Sequence, residues 1–283
     1  MWSGCKNEQE LKELNFENIA AVTGDFDQVE ETLTRLDIAT TAYEGYIDRA
    51  VYDPSIQPEA NSLKSEQLFE DSDDSNVPEI SRYEAVFVDS GTRGFGAWVY
   101  NGTDADDSLV TNPTVIAHVQ DYVTNGGTLI VSDWAYDLVE ACWPDAIEFA
   151  GEDTELDDAQ RGTSDEVTAD VLDLDLQDAL SGNTTLAVQY DYSYWTAIES
   201  VGPETEVYLS GDVTYHKSGA EGDVALLDSP LLVGFQSEGG QVLFSTFHWR
   251  AQRSEVSQDI LLGLIDGLSA GPGYTADSGG SNP

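Results

Sequence analysis

Residues 113–131 read PTVIAHVQDYVTNGGTLIV. Pro113 suits the first position of a helix, where its missing N–H would have no partner anyway. Val115, Ile116, Val119 and Val123 then fall on one face at helical spacing, which predicts a helix over 113–124. Asn125-Gly126-Gly127 ends it, because glycine tolerates the left-handed backbone that follows a helix C-terminus. Thr128 to Val131 continues as a short apolar run, the mark of a strand covered on both faces. Helix, glycine stop and buried strand within nineteen residues make half of a parallel α/β repeat.

Working outward, the same alternation recurs. Ile19 to Val22 is an apolar run, Thr23-Gly24-Asp25 a turn, and Phe26, Val29, Leu33 and Leu36 return at helical spacing, with Asp25 or Asp27 placed to cap that helix. Ala85 to Val88 is another buried strand and runs into Asp89-Ser90-Gly91-Thr92-Arg93. Residues 134–142 look helical. Val242 to Phe247 forms a strand ending at His248, preceded by the hairpin turn Ser237-Glu238-Gly239-Gly240 and followed by a helix over about 254–268. The expected fold is α/β, a flavodoxin-like doubly wound, mostly parallel sheet with a β-rich insertion and a C-terminal hairpin plus helix. Residues 1–15 read as a polar leader, 16–268 as the domain, 151–230 as an insertion or β-rich subregion, and 269–283 as a disordered tail. Within these, 53–81 reads as a surface loop with one short helical turn, and 151–182 as acidic chain with one or two short helices.

Charge excludes whole classes of partner. The chain has 283 residues, with 54 acids against 11 basic residues, a formal net charge of −43. Such a field repels nucleic acid and anionic membrane, both of which need cationic contacts. It keeps a chain soluble where salt screens its self-repulsion, so it reads as adaptation to a saline environment or as a cation-collecting surface. The partner expected is therefore a small molecule or a protein. Membrane contact would come only through a lipid anchor. Trp2-Ser3-Gly4-Cys5 resembles the end of a bacterial lipoprotein signal without its apolar run, making Cys5 a candidate for lipidation. That places the chain in the cell envelope or outside the cell; the alternative is the cytoplasm of a halophile. Two cysteines exclude a disulfide-built scaffold, and Cys142 beside Trp143 reads as a buried small hydrophobe. Asp71, Asp73 and Asp74, and Asp104, Asp106 and Asp107, lack the spacing of a twelve-residue calcium loop. No metal and no cofactor are expected.

Two segments together resemble the class I glutamine amidotransferase-like superfamily, in its trehalose-utilisation-like branch. One runs from Arg82 to Val88 and, after a helix, from Tyr122 to Val131. The other runs from Ser229-Pro230-Leu231-Leu232 to Thr246-Phe247-His248. The resemblance implies a cysteine nucleophile on the sharp turn after the strand ending at Val131, with a histidine as its base. This chain has Ser132-Asp133-Trp134 there, without a flanking glycine, and Trp249 and Arg250 after the histidine where active members show proline and glutamate. Glutamine hydrolysis is therefore not expected, and the chain reads as a non-catalytic or diverged binding protein.

The site candidates follow from strand ends, where parallel sheets gather function. His248 with Ser132 or Asp133 could form a hydrolase, although no oxyanion hole is legible. Asp89, Arg93, Trp134 and Arg250 are candidate binding residues at the same edge. Arg250, Gln252 and Arg253 near His248 form either an anion-binding patch or local ion pairs. Tyr190, Tyr192, Tyr194 and Trp195 form either a carbohydrate or protein platform or sheet packing.

Overall fold

A computed structural model describes residues 18–24, 26–45, 63–70, 72, 76–92, 109–151, 156–192, 195–217, 222–252 and 260. Six parallel strands form its centre: β1 (Ile19–Thr23), β2 (Thr41–Glu44), β3 (Leu63–Lys64), β4 (Ala85–Val88), β5 (Thr128–Ser132) and β14 (Gly240–Ser245). In space they run β14-β5-β4-β1-β2-β3. Leaving aside the two-residue edge strand β3, this is the flavodoxin-like order, which reverses direction between β1 and β4.

Each central strand feeds both layers, because successive side chains point to opposite faces. Ala20, Val22, Val86, Val88, Leu129, Val131, Val242 and Phe244 face one core, while Ile19, Ala21, Ala85, Phe87, Ile130 and Leu243 face the other. On the first face lie α2 (Ser65–Phe69), α3 (Pro113–Thr124) and α4 (Tyr136–Cys142), and on the second α1 (Val29–Arg35). The sheet is thus doubly wound. Helix α3 occupies the span its periodicity predicts. Asn112 caps it by accepting from the Thr114 N–H at 3.0 Å, and Gly126 closes it at φ 106°.

Beyond β14 the sheet turns antiparallel. The tight turn at Glu238 and Gly239 returns the chain from β13 (Asp223–Ser237) to β14, and β13 pairs in turn with β12 (Thr205–His216). These two make a ribbon of 15 and 12 residues, bent by register shifts. β7 (Arg161–Gly162), β8 (Glu166–Val171), β9 (Thr185–Gln189) and β10 (Trp195–Thr196) complete a twelve-stranded sheet. A separate pair, β6 (Ile147–Phe149) and β11 (Ile198–Val201), lies apart, and α5 (Leu174–Ala179) links β8 to β9. The β-rich stretch after residue 150 therefore continues the central sheet.

Local expectations are refined at three points. Within 53–81, residues 63–69 form β3 and α2, with Leu68 and Phe69 fully buried, because an apolar pair inside a polar stretch suffices to anchor a short helix. Within 151–182 the expected short helix is α5 at 174–179, and 166–171 add an unexpected strand: Val167, Ala169 and Val171 are buried while Glu166, Thr168 and Asp170 are exposed, a period of two among acids. Helix α1 has Gln28 at its N-cap position, and the Asp27 carboxylate does not cap it but accepts from Gln28 and from distant chain; Asp25 lies outside the described residues. The leader at 1–15, the tail at 269–283 and the helix at 254–268, except Ile260, also lie outside them.

Candidate functional site

The carboxyl ends of β1, β4, β5 and β14 converge where the strand order reverses. Two close backbone contacts bring the first two loops together: the N–H groups of Phe26 and Asp27 donate to the Ser90 carbonyl at 3.1 and 3.4 Å. Gly24 makes this approach possible, since a Cβ there would lie 2.0 Å from the Ser90 carbonyl oxygen. The carboxylate of Asp27, fully buried, then gathers three loops. It accepts the N–H of Gln28 at 2.8 Å and of Arg250 at 3.2 Å on Oδ1, and the N–H of Trp249 at 2.9 Å and the Ser132 hydroxyl at 3.2 Å on Oδ2. Ser132 Oγ also accepts the Ser90 N–H at 3.0 Å. Asp89, equally buried, accepts the N–H of Val29 at 3.0 Å and so satisfies the first amide of α1 from sixty residues away.

Asp133 is the residue on the turn after β5. Its backbone is left-handed, at φ 44°, a conformation that a short polar side chain tolerates better than most. The turn is therefore made without the glycine expected beside it. The carboxylate of Asp133 is saturated with donors: Oδ1 accepts the Thr196 N–H at 2.7 Å, and Oδ2 contacts the Ser90 hydroxyl at 3.2 Å and His248 Nε2 at 3.0 Å. The other ring nitrogen of His248, Nδ1, lies 2.7 Å from Asp191 Oδ1. His248 is 4% exposed. At the rim, Arg250 donates from Nε to Asp191 Oδ2 at 3.2 Å and from its two terminal nitrogens to Gln28 and to the Tyr192 hydroxyl.

The electrostatics follow from this geometry. Burial alone would lower the pKa of His248, but hydrogen bonds to Asp133 and Asp191, backed by the charges of Asp133 and Asp27, push it up to about 10. The ring is an imidazolium at neutral pH, with both N–H groups donating to carboxylates. Burial would raise Asp191, yet His248 and then Arg250 hold it below the usual carboxylate range. Asp89 goes the other way: burial, then the charges of Asp27 and Glu30, push it well above that range.

His248 and Asp133 are thus in direct contact, with Arg250 two bonds of the network away through Asp191. Ser132 sits beside them but exchanges its hydrogen bonds with Asp27 and Ser90. Trp134 is buried in the core and packs edge-on against Tyr136 at 5.9 Å, and Asp89 is occupied by α1. Tyr190 and Trp195 stack at 4.2 Å within the second core, the packing alternative of the aromatic run, while Tyr192 is 40% exposed. Arg93, Arg253, Tyr194, Cys5 and all six calcium-loop candidates, Asp71, Asp73, Asp74, Asp104, Asp106 and Asp107, lie outside the described residues. Cys142 is buried in α4, and burial pushes its thiol up to about 12. Among the described residues no group of three or more His, Cys, Asp or Glu is placed to hold a metal ion, and no helix is long and apolar enough to cross a membrane. Sequence reasoning missed Asp191, hidden between tyrosines, and assigned Asp27 to a helix cap. Neither residue carries a local signal of its role.

No protein-family model matches the chain, and no curated protein matches it. Solved structures do. A cytoplasmic protein, STM3548, from Salmonella typhimurium is 10% identical over 88% of this chain and 98% of its own, with a TM-score of 0.48. A protein from Bacteroides uniformis described as thua-like is 11% identical over 91% and 92%, at 0.42. A β-galactosidase from Bacillus circulans sp. alkalophilus is 13% identical over 89% of this chain, at 0.45, and the chain spans 31% of that enzyme.

Proposed function

We propose that this chain is an amidotransferase-like α/β domain that has lost the hydrolytic chemistry of that superfamily and acts as a binding protein. One observation carries the reading: both ring nitrogens of His248 are held against carboxylates, Nδ1 at 2.7 Å from Asp191 and Nε2 at 3.0 Å from Asp133. A general base must have a nitrogen free to accept a proton, and a pKa near the working pH. His248 has neither. The turn where a cysteine would act holds Asp133, whose two oxygens already serve three donors. The cluster reads as a brace that fixes the loop ends, with the rim groups Arg250, Tyr192 and Gln28 left toward solvent as the contact surface for a small molecule or a protein.

Ammonia release from glutamine tests the loss of chemistry directly. No release is expected from the wild type; release that disappears in His248→Ala overturns the reading. Imidazole resonances of His248 supply an independent check, since they should titrate well above pH 8. A ring that titrates near 6.5 would restore the base. The second reading, a hydrolase with Asp133 as nucleophile, draws on the left-handed turn and the 3.0 Å contact with His248. It requires an acyl anhydride on Asp133, formed as the carboxylate displaces the alcohol of an activated ester, which intact-mass measurement after incubation with activated esters would reveal. Placement in the cell envelope through Cys5 is a further part of the proposal; loss of detergent-phase partitioning in Cys5→Ser is the expected result.

A further inference from the structure

A second carboxyl pair lies on the other side of the molecule's first core, between α4 and the segment 156–160. Asp137, at the start of α4, is 1% exposed and its two oxygens each accept the Asp157 N–H at 3.3 Å. Asp157 adopts a left-handed backbone at φ 57°. Both oxygens of its carboxylate are buried and meet no N–H or O–H from another residue. The Asp157 N–H bonds set this donorless carboxyl beside the buried carboxyl of Asp137. Two neighbouring buried carboxyls without a donor between them are strongly disfavoured when both are ionised, so the pair shares a proton.

We propose that Asp137 and Asp157 form a proton-operated latch: with the shared proton in place the strap 156–160 is closed on α4, and when the proton leaves the strap is released. Nothing in the brace around His248 needs this pair, so the latch stands apart from the reading of that site. Closure is read from the strap's other contacts. The Ala159 N–H donates to the Tyr136 hydroxyl at 3.0 Å, the Gln160 N–H donates to the Ala150 carbonyl, and the Ala197 N–H donates to the Gln160 carbonyl at 3.3 Å. The next residue back, Thr196, donates its N–H to Asp133. Release of the strap therefore reaches the brace through a single residue.

The charges around the pair all favour release once the proton is gone. Burial first, partly offset by the Asp157 N–H, pushes Asp137 up to about 7. Burial and then the charge of Asp137 push Asp157 up to about 8. Asp158 bears on both carboxyls, and Asp158 and Glu140 bear on the adjoining Tyr136 hydroxyl; all are acids. A carboxyl whose folded pKa lies above its unfolded value binds more protons in the closed state. The closure it supports is complete below about pH 4 and is lost as pH rises through 7 to 8.

Hydrogen exchange of the Ala159 and Gln160 amides, corrected for the intrinsic pH dependence of exchange and run in molar KCl, tests the latch. In the wild type, protection should fall by about tenfold per pH unit between about pH 5 and 7, where the closed state holds one proton more than the open one, and should level off above about 8. Strand β5 should keep its protection, which separates local release from unfolding. Asp157→Asn supplies a permanent donor toward Asp137 and should flatten the profile, and Asp137→Asn should do the same. Wild-type protection that is level from pH 6 to 9, a fall shared by β5, or an equal fall in Asp157→Asn each overturns the proposal.

Discussion

Replacing His248 by alanine removes the one cation that contacts the Asp133 carboxylate among the described residues, and the structure sets what that costs. Asp191 keeps its bond from Arg250 and is partly exposed, so its charge is largely looked after. Asp133 is fully buried and keeps two neutral donors, Ser90 and Thr196. The loss is therefore that of one uncompensated buried charge, about 3–5 kcal/mol. His248→Gln, which can still offer one donor, should fall between the two. The effect also has a sign in pH. Because the folded pKa of His248 lies above its unfolded value, its contribution is full below about pH 6.5 and is lost as pH rises toward 10. Asp191, held below the ordinary range, adds a part that is present above about pH 4 and lost on acidification. Urea unfolding of wild type and variant in molar KCl, followed by tryptophan fluorescence, should show the widest gap between pH 4 and 7. A cost under about 1 kcal/mol at pH 7, in the range of an ordinary neutral hydrogen bond, would refute the buried-brace argument. So would a gap that fails to narrow by pH 10.

Two further outcomes are expected. With a net charge of −43, the melting temperature should climb from dilute buffer to molar KCl as screening weakens self-repulsion; a flat or falling curve would remove the saline-adaptation reading. Gly24→Ala should lower the urea midpoint by the equivalent of about 1–3 kcal/mol, since its Cβ would press on the Ser90 carbonyl and part the β1 and β4 loops; an unchanged midpoint would show that these loops yield.

The centre of the sheet was legible because its strands are covered on both faces. Ile19 to Val22, Ala85 to Val88, Leu129 to Val131 and Val242 to Phe244 are uninterrupted apolar runs, and all four strands are neighbours. β8 escaped because one of its faces is acidic in a chain where acids are everywhere, and β2 and β3 because strands of four and two residues carry too little pattern. In the site, His248 and Asp133 were legible as residues at strand ends. Asp27 and Asp191 were not, because what makes them part of the site is contact with distant chain: Trp249 for the one, His248 for the other. The left-handed turn at Asp133 was missed for a local reason, as aspartate can take a conformation for which glycine was sought.

The bond between the Asp27 carboxylate and the Trp249 amide spans 222 residues of chain. A ribosome adding about 5–20 residues per second needs roughly 10 to 45 seconds to cover that distance. Throughout that interval the Asp27 carboxylate lacks the Trp249 and Arg250 amides that it accepts from, and β5 waits for the neighbour that closes its second edge. The centre of this sheet is thus completed last, by the C-terminal part of the chain, and premature termination before residue 249 would leave a nascent protein with an open strand edge beside a desolvation-prone acid. Closure of this sheet waits until residue 249 has been made, and the open edge of β5 is exposed to aggregation until then.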